Sequence, residues 1–187
     1  MLNAIDEIAE LYERRGQELY ADEALTHLEH ALQCARLAEQ AQSPAELVVA
    51  CLLHDVGELL NGRHGRFPSV ADAAHPFIAA CALSELFPAS VLNPIRLHGE
   101  ARRYLCRTEE GYERSLPRAM RAALEREGGA FTEPGAQAFL RERYAEEAIL
   151  LARFDDAARV PLARTPRLSH YLPLLHACAV QDLARAE

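Results

Sequence analysis

The sequence contains no apolar run approaching the ~18 residues that a membrane-spanning helix requires. Its start, Met1-Leu2-Asn3-Ala4-Ile5-Asp6-Glu7, has neither the basic segment nor the apolar core of a secretory signal, so a cytoplasmic protein is expected. It lacks basic excess. Lys and Arg total 20 against 28 Asp and Glu, a formal net charge of −8, and such a field repels nucleic-acid backbones and anionic membranes. Neither is expected as a partner. It also lacks paired cysteines: Cys34, Cys51, Cys81, Cys106 and Cys178 stand singly, which argues for reduced thiols, mostly small core residues, rather than a disulfide framework. There is no internal repeat, no low-complexity tract and no interdomain linker, and 187 residues suit one well-packed domain. Few segments alternate as strands do.

What is present is helical periodicity. It predicts helices over 4–15, 23–41, 47–56, 74–86, 89–106, 116–126, 133–142, 144–155 and 168–184. Ser43-Pro44-Ala45-Glu46 reads as a helix start, with serine as cap and proline in the first turn. The helix over 47–56 is apolar nearly all round and is therefore expected to be buried, with Gly57 ending or loosening it. Residues 58–72 carry glycines, a proline and no period, and are expected to form a long loop of the kind that often serves as a lid. Pro94 is expected to break or start a helix. The fold class expected is all-α, a single helical domain over 1–187.

An interior helix should carry no ionisable group, because burying an unpaired charge costs roughly several kcal/mol. Yet the buried helix ends in His54-Asp55-Val56-Gly57. One imidazole beside one carboxylate offers a nitrogen ligand and a group able to bridge two cations. His30 on the preceding helix, His75 and His98 on intervening ones and Asp155 near the end of a late one complete a nitrogen–oxygen set suited to iron, manganese, zinc or other first-row metals. A lone buried histidine is usually a hydrogen-bonded core residue. His64, His170 and His176 are read that way or as surface residues.

Order and spacing carry a resemblance. The stretches are Tyr20-Ala21-Asp22-Glu23-Ala24, Leu28-Glu29-His30-Ala31-Leu32-Gln33-Cys34-Ala35 and Val49-Ala50-Cys51-Leu52-Leu53-His54-Asp55-Val56-Gly57. Ile95-Arg96-Leu97-His98, Arg103-Tyr104-Leu105, Gly128-Gly129 and Arg153-Phe154-Asp155 follow. Together they resemble the HD-domain metalloproteins, and within them the small mixed-valence diiron oxygenases of organophosphonate breakdown, relatives in fold of myo-inositol oxygenase. The resemblance implies an HD-type helical bundle around a buried dinuclear site with two irons as Fe(II)/Fe(III). One iron would take His30, His54 and Asp155, the other His75 and His98, with Asp55 bridging. Tyr20 would cap the second iron until substrate displaces it, and Glu23 would meet a cationic amine of the substrate. The partners implied are a small hydroxylated substrate and O2, with oligomeric state left open. Glu29 and Gln33 are candidates to support His30 from outside the ligand set.

The substrate shell departs from the family. A phosphonate-binding histidine is replaced by Glu58, which repels an anion, and a lysine by Arg102, which keeps the charge; Met120 and Ala123 align with hydroxyl donors. His27 stands where glutamine is usual and faces nearly the same side as His30, so His27, Glu58 and Arg102 are the substrate-binding candidates. Glu58 entering the site could pair with Arg102. Two alternatives stand beside the oxygenase. One is an HD-type phosphohydrolase of a nucleotide or phosphate ester using Mn, Mg or Zn, with Arg102 and Arg103 as phosphate anchors; it leaves His75 and His98 unexplained. The other is a metal-binding sensor module without turnover.

Overall fold

The computed structural model describes residues 1–20, 24–61 and 75–180. Its helices are α1 (Ile5–Arg15), α2 (His27–Gln40), α3 (Ala45–Leu53), α4 (Val56–Asn61), α5 (His75–Ala82) and α6 (Ala89–Thr108), followed by α7 (Tyr112–Ser115), α8 (Arg118–Arg126), α9 (Glu133–Phe139), α10 (Ala145–Ala157) and α11 (Leu168–Cys178). Among the described residues, the one departure from helix and loop is an isolated bridge between Leu19 and Thr26. The all-α expectation holds.

α3 is the axis of the molecule. Every residue from Leu47 to Leu53 is buried, as its uniformly apolar sequence dictates. α2, α6, α10 and α11 pack around it. Each large aliphatic side chain fully buried there contributes about 1.5–3 kcal/mol. α1 is fastened to the same core by Ile8, which is fully buried, and by Tyr12, whose hydroxyl donates to the Leu52 carbonyl. A second cluster, Leu97, Ala101, Leu105, Phe139, Ala148 and Ala152, fills the space between α6, α9 and α10. Alanines on α10 allow that helix to lie close against α6.

Local chemistry fixes where the helices begin. α2 starts four residues later than the periodicity suggests, because Thr26 and Glu29 form a reciprocal capping box. The Thr26 hydroxyl accepts from the Glu29 amide at 3.2 Å, and the Thr26 amide donates to the Glu29 carboxylate at 2.7 Å. Glu29 is thereby a cap, not a support for His30. α3 takes Pro44, not Ser43, as its cap, with no side-chain bond to the first turn. α6 runs unbroken through Pro94, and α7 is a single extra turn that periodicity cannot register.

The expected loop over 58–72 is helical at its start, since α4 continues through Gly57 to Asn61. Gly57 does something other than end a helix. A β-carbon there would lie 2.1 Å from the His75 carbonyl oxygen, so only glycine permits the observed approach of α4 to α5. The rest of that loop, with His64, lies outside the described residues, as do Glu23 and residues 181–184 of the last expected helix. No described helix is long and apolar enough to cross a membrane.

Candidate metal centre

His54 and Asp55 occupy the turn between α3 and α4, so the change of helix axis falls on the two residues with ligand chemistry. α2 supplies His30, α5 begins with His75, α6 supplies His98 from its middle, and α10 supplies Asp155 from its last turn. His30, His54, His98, Asp55 and Asp155 are all buried, while His75 is partly exposed.

Two groups form. Ligand atoms of His30, His54 and Asp155 lie within 4.8 Å of one another, as do those of Asp55, His75 and His98. In the first, His30 Nε2 is 3.4 Å from His54 Nε2 and 3.2 Å from Asp155 Oδ1. Asp55 joins the groups. Its Oδ2 is 3.1 Å from His54 Nε2 and 3.5 Å from His30 Nε2, and its Oδ1 is 3.1 Å from His75 Nε2.

The outer nitrogens explain the orientation. His30 Nδ1 contacts the Ala158 carbonyl at 2.8 Å, His54 Nδ1 the Cys51 carbonyl at 2.9 Å, and His98 Nδ1 the Ile95 carbonyl at 2.7 Å. A carbonyl only accepts, so each Nδ1 carries a proton and donates it, which leaves each Nε2 turned inward. Two ring nitrogens 3.4 Å apart beside two carboxylates call for positive charge: Asp55 outweighs burial and holds His54 well above the usual histidine range, and a bound cation would take the place of that proton. Asp55 Oδ2 is also buried with no hydrogen-bond partner, an expensive arrangement for a carboxylate oxygen in a protein interior. The donor set and this orphaned oxygen fit metal ions, which these two groups could hold.

The electrostatics agree. Burial would raise the Asp55 carboxyl, but His54 and His75 outweigh it and hold the group well below the usual carboxylate range. Burial acts likewise on Asp155 and is overcome chiefly by Arg102, then by His30 and His54. His98 is pushed down to about 3 by burial and by His54, His75 and Arg102, so its ring is neutral at physiological pH.

The groups expected around the metals are distributed unevenly. Tyr20 stacks on His30, with ring centroids 4.1 Å apart and planes 13° from parallel, and its hydroxyl accepts from Arg159 at 3.4 Å. Its phenol is held well above the usual range by burial and by Asp55, Asp155 and Glu58. His27 packs edge-on to Tyr20 and lies 3.7 Å from Glu58, which is itself 3.8 Å from His75 Nδ1. Burial and then Asp55 push the Glu58 carboxyl up to about 7. The described contacts of Arg102 run to Asp155 and Asp156, not to Glu58 as the sequence allowed. Arg103 is occupied by the Gly129 carbonyl and the Phe131 ring.

Gln33 does support His30, though at one remove. It donates to the Val160 carbonyl and accepts from the Val160 amide, each at 3.0 Å, and so fixes the segment whose Ala158 carbonyl holds the ring. Arg159, Asp156 and Tyr112 escaped sequence reading. Arg159 is four residues beyond Asp155 and donates to it at 3.3 Å, a spacing that could have flagged it. Tyr112, remote in sequence, carried no such signal.

Relatives cover nearly the whole chain. Hydroxymethylphosphonate dioxygenase of Gimesia maris is 35% identical over 176 residues, 93% of this chain and 87% of its own length. The glycine-betaine-forming [1-hydroxy-2-(trimethylamino)ethyl]phosphonate dioxygenase of Leisingera caerulea is 31% identical over 175 residues, 92% and 89% of the two chains. The HD domain model matches residues 27–159, from the start of α2 to just past α10, a span that holds all six candidate ligands. By that match and those likenesses, the chain belongs to the HD domain family.

Proposed function

We propose that this protein is an HD-domain oxygenase that uses O2 to cleave a small hydroxylated organophosphonate at a pair of iron ions, and that residues 1–187 form one domain. The names of the two relatives support the reaction class. The observation that carries the dinuclear reading is the Asp55 carboxylate, with one oxygen turned to His30 and His54 and the other to His75. His30, His54 and Asp155 would hold the first ion, His75 and His98 the second, with Asp55 shared. An Fe(II)/Fe(III) pair would supply dioxygen activation and abstraction of the hydrogen atom that precedes C–P cleavage.

The chain's own groups prepare that site. Backbone carbonyls fix three imidazoles in one tautomer. Tyr20, kept protonated, walls the first group and retains a hydroxyl able to donate to a substrate oxygen. His27 and Glu58 stand together beside His75, and a carboxylate there favours substrate groups that donate hydrogen bonds or carry positive charge. Glu23 is proposed for the same role on the resemblance alone.

Iron content, electron paramagnetic resonance and phosphate release from hydroxymethylphosphonate, with and without O2, test the proposal. About two irons per chain, a mixed-valence signal and O2-dependent release are expected. A single divalent ion with O2-independent hydrolysis of phosphate esters would support the hydrolase instead. Tight metal binding with neither activity would support the sensor.

A further inference from the structure

Asp155 divides its two oxygens between two tasks. Oδ1 faces the first group, 3.2 Å from His30 Nε2 and 3.8 Å from His54 Nε2, and accepts from Arg159 at 3.3 Å. Oδ2 accepts from Arg102 Nη2. The same Nη2 lies 3.4 Å from Asp156 Oδ1, and Asp156 Oδ2 accepts from the Tyr112 hydroxyl. A line of contacts therefore runs from Tyr112 at the start of α7, through Asp156 and Arg102, to the outer oxygen of a ligand.

We propose that Arg102 is a positioning residue for Asp155, braced by Asp156 and Tyr112, and that it holds this aspartate as a one-oxygen ligand rather than anchoring the substrate's anion. The inference rests on the reading of Asp155 as a metal ligand. The terminal torsion of an aspartate is broad, so an unrestrained carboxylate rotates easily and can present both oxygens to a cation. A guanidinium is permanently charged, and its contact with a buried carboxylate is a strong, directional one. With Oδ2 occupied, Oδ1 alone is left for the metal. Arg102 and Arg159 both set positive charge against Asp155, and Asp156 shares that of Arg102. Turning Nη2 toward a substrate anion would break both contacts. The Arg102 Nε is buried without a partner, so Nη2 alone carries the brace.

Cobalt(II) tests this independently of turnover, since its visible d–d absorption weakens as coordination number rises. The full chain, stripped of metal and titrated with Co(II), is compared with Arg102→Gln and the milder Tyr112→Phe. The expected result is a weakened and shifted band in Arg102→Gln, with a smaller change of the same sign in Tyr112→Phe. If Arg102→Gln misfolds, Tyr112→Phe alone decides, because it removes one hydroxyl at the far end of the line. Unchanged bands in the folded variants overturn the brace, whether or not hydroxymethylphosphonate then binds more weakly. An absent band in the wild type removes the metal centre itself, and the brace with it.

Discussion

The two ligand groups sit a few ångströms apart and are built differently. The first draws His30 and His54 from helices packed in the core, and both rings are fully buried and pinned by backbone carbonyls. The second joins His98, buried and held by the Ile95 carbonyl, to His75, at the first position of a short helix, with a side chain 18% exposed and its Nδ1 3.8 Å from the Glu58 carboxylate. A ring enclosed by the core cannot move without its neighbours, whereas a partly exposed one at the start of a short helix can. The first group is thus part of the protein's stability, and the second is a face that can adapt to what binds there.

Removing the shared residue would erase the comparison altogether. Asp55→Asn is expected to abolish loading of both ions and to lower activity by more than about 100-fold, read by metal analysis and turnover. Splitting the groups sharpens it. His54→Ala should lose the first ion and lower Tm, because it leaves a cavity and an unpaired carbonyl in the core, while His75→Ala should lose the second and unfold within a few degrees of wild type. Equal falls in Tm in the two variants would contradict the contrast. Gly57→Ala attacks the second group from behind. The added methyl must push against the His75 carbonyl, costing about 1–3 kcal/mol and roughly 3–10 °C in Tm, with loss of the second ion before the first. The smallest effect is expected from Gln33→Ala, which frees Val160 and loosens the carbonyl behind His30. About 1–2 kcal/mol of stability should go, with metal content retained, as denaturant unfolding of the loaded protein would show.

Legibility in the sequence follows the same division. α3 was readable because a fully buried helix is apolar on every face, and the ligands because ionisable residues at the end of such a helix demand a partner. The order His30, His54-Asp55, Asp155 then marked the family. Boundaries were harder where a side chain overrides periodicity, as the Thr26–Glu29 box does for α2, and where a glycine serves contact rather than termination, as Gly57 does. The surroundings of the ligands were least legible. Carbonyls from Cys51, Ile95 and Ala158 have no sequence signature, and the destination of Arg102 depends on α6 and α10 meeting, which no local pattern records.

The central claim is that one carboxylate, Asp55, is shared by two cations. Metal content of purified wild type beside His75→Ala, each saturated with Fe(II) under anaerobic conditions and freed of excess, tests it most directly. The account predicts about two ions per chain falling to about one. A wild-type chain that saturates at a single ion, unchanged by His75→Ala, would contradict it.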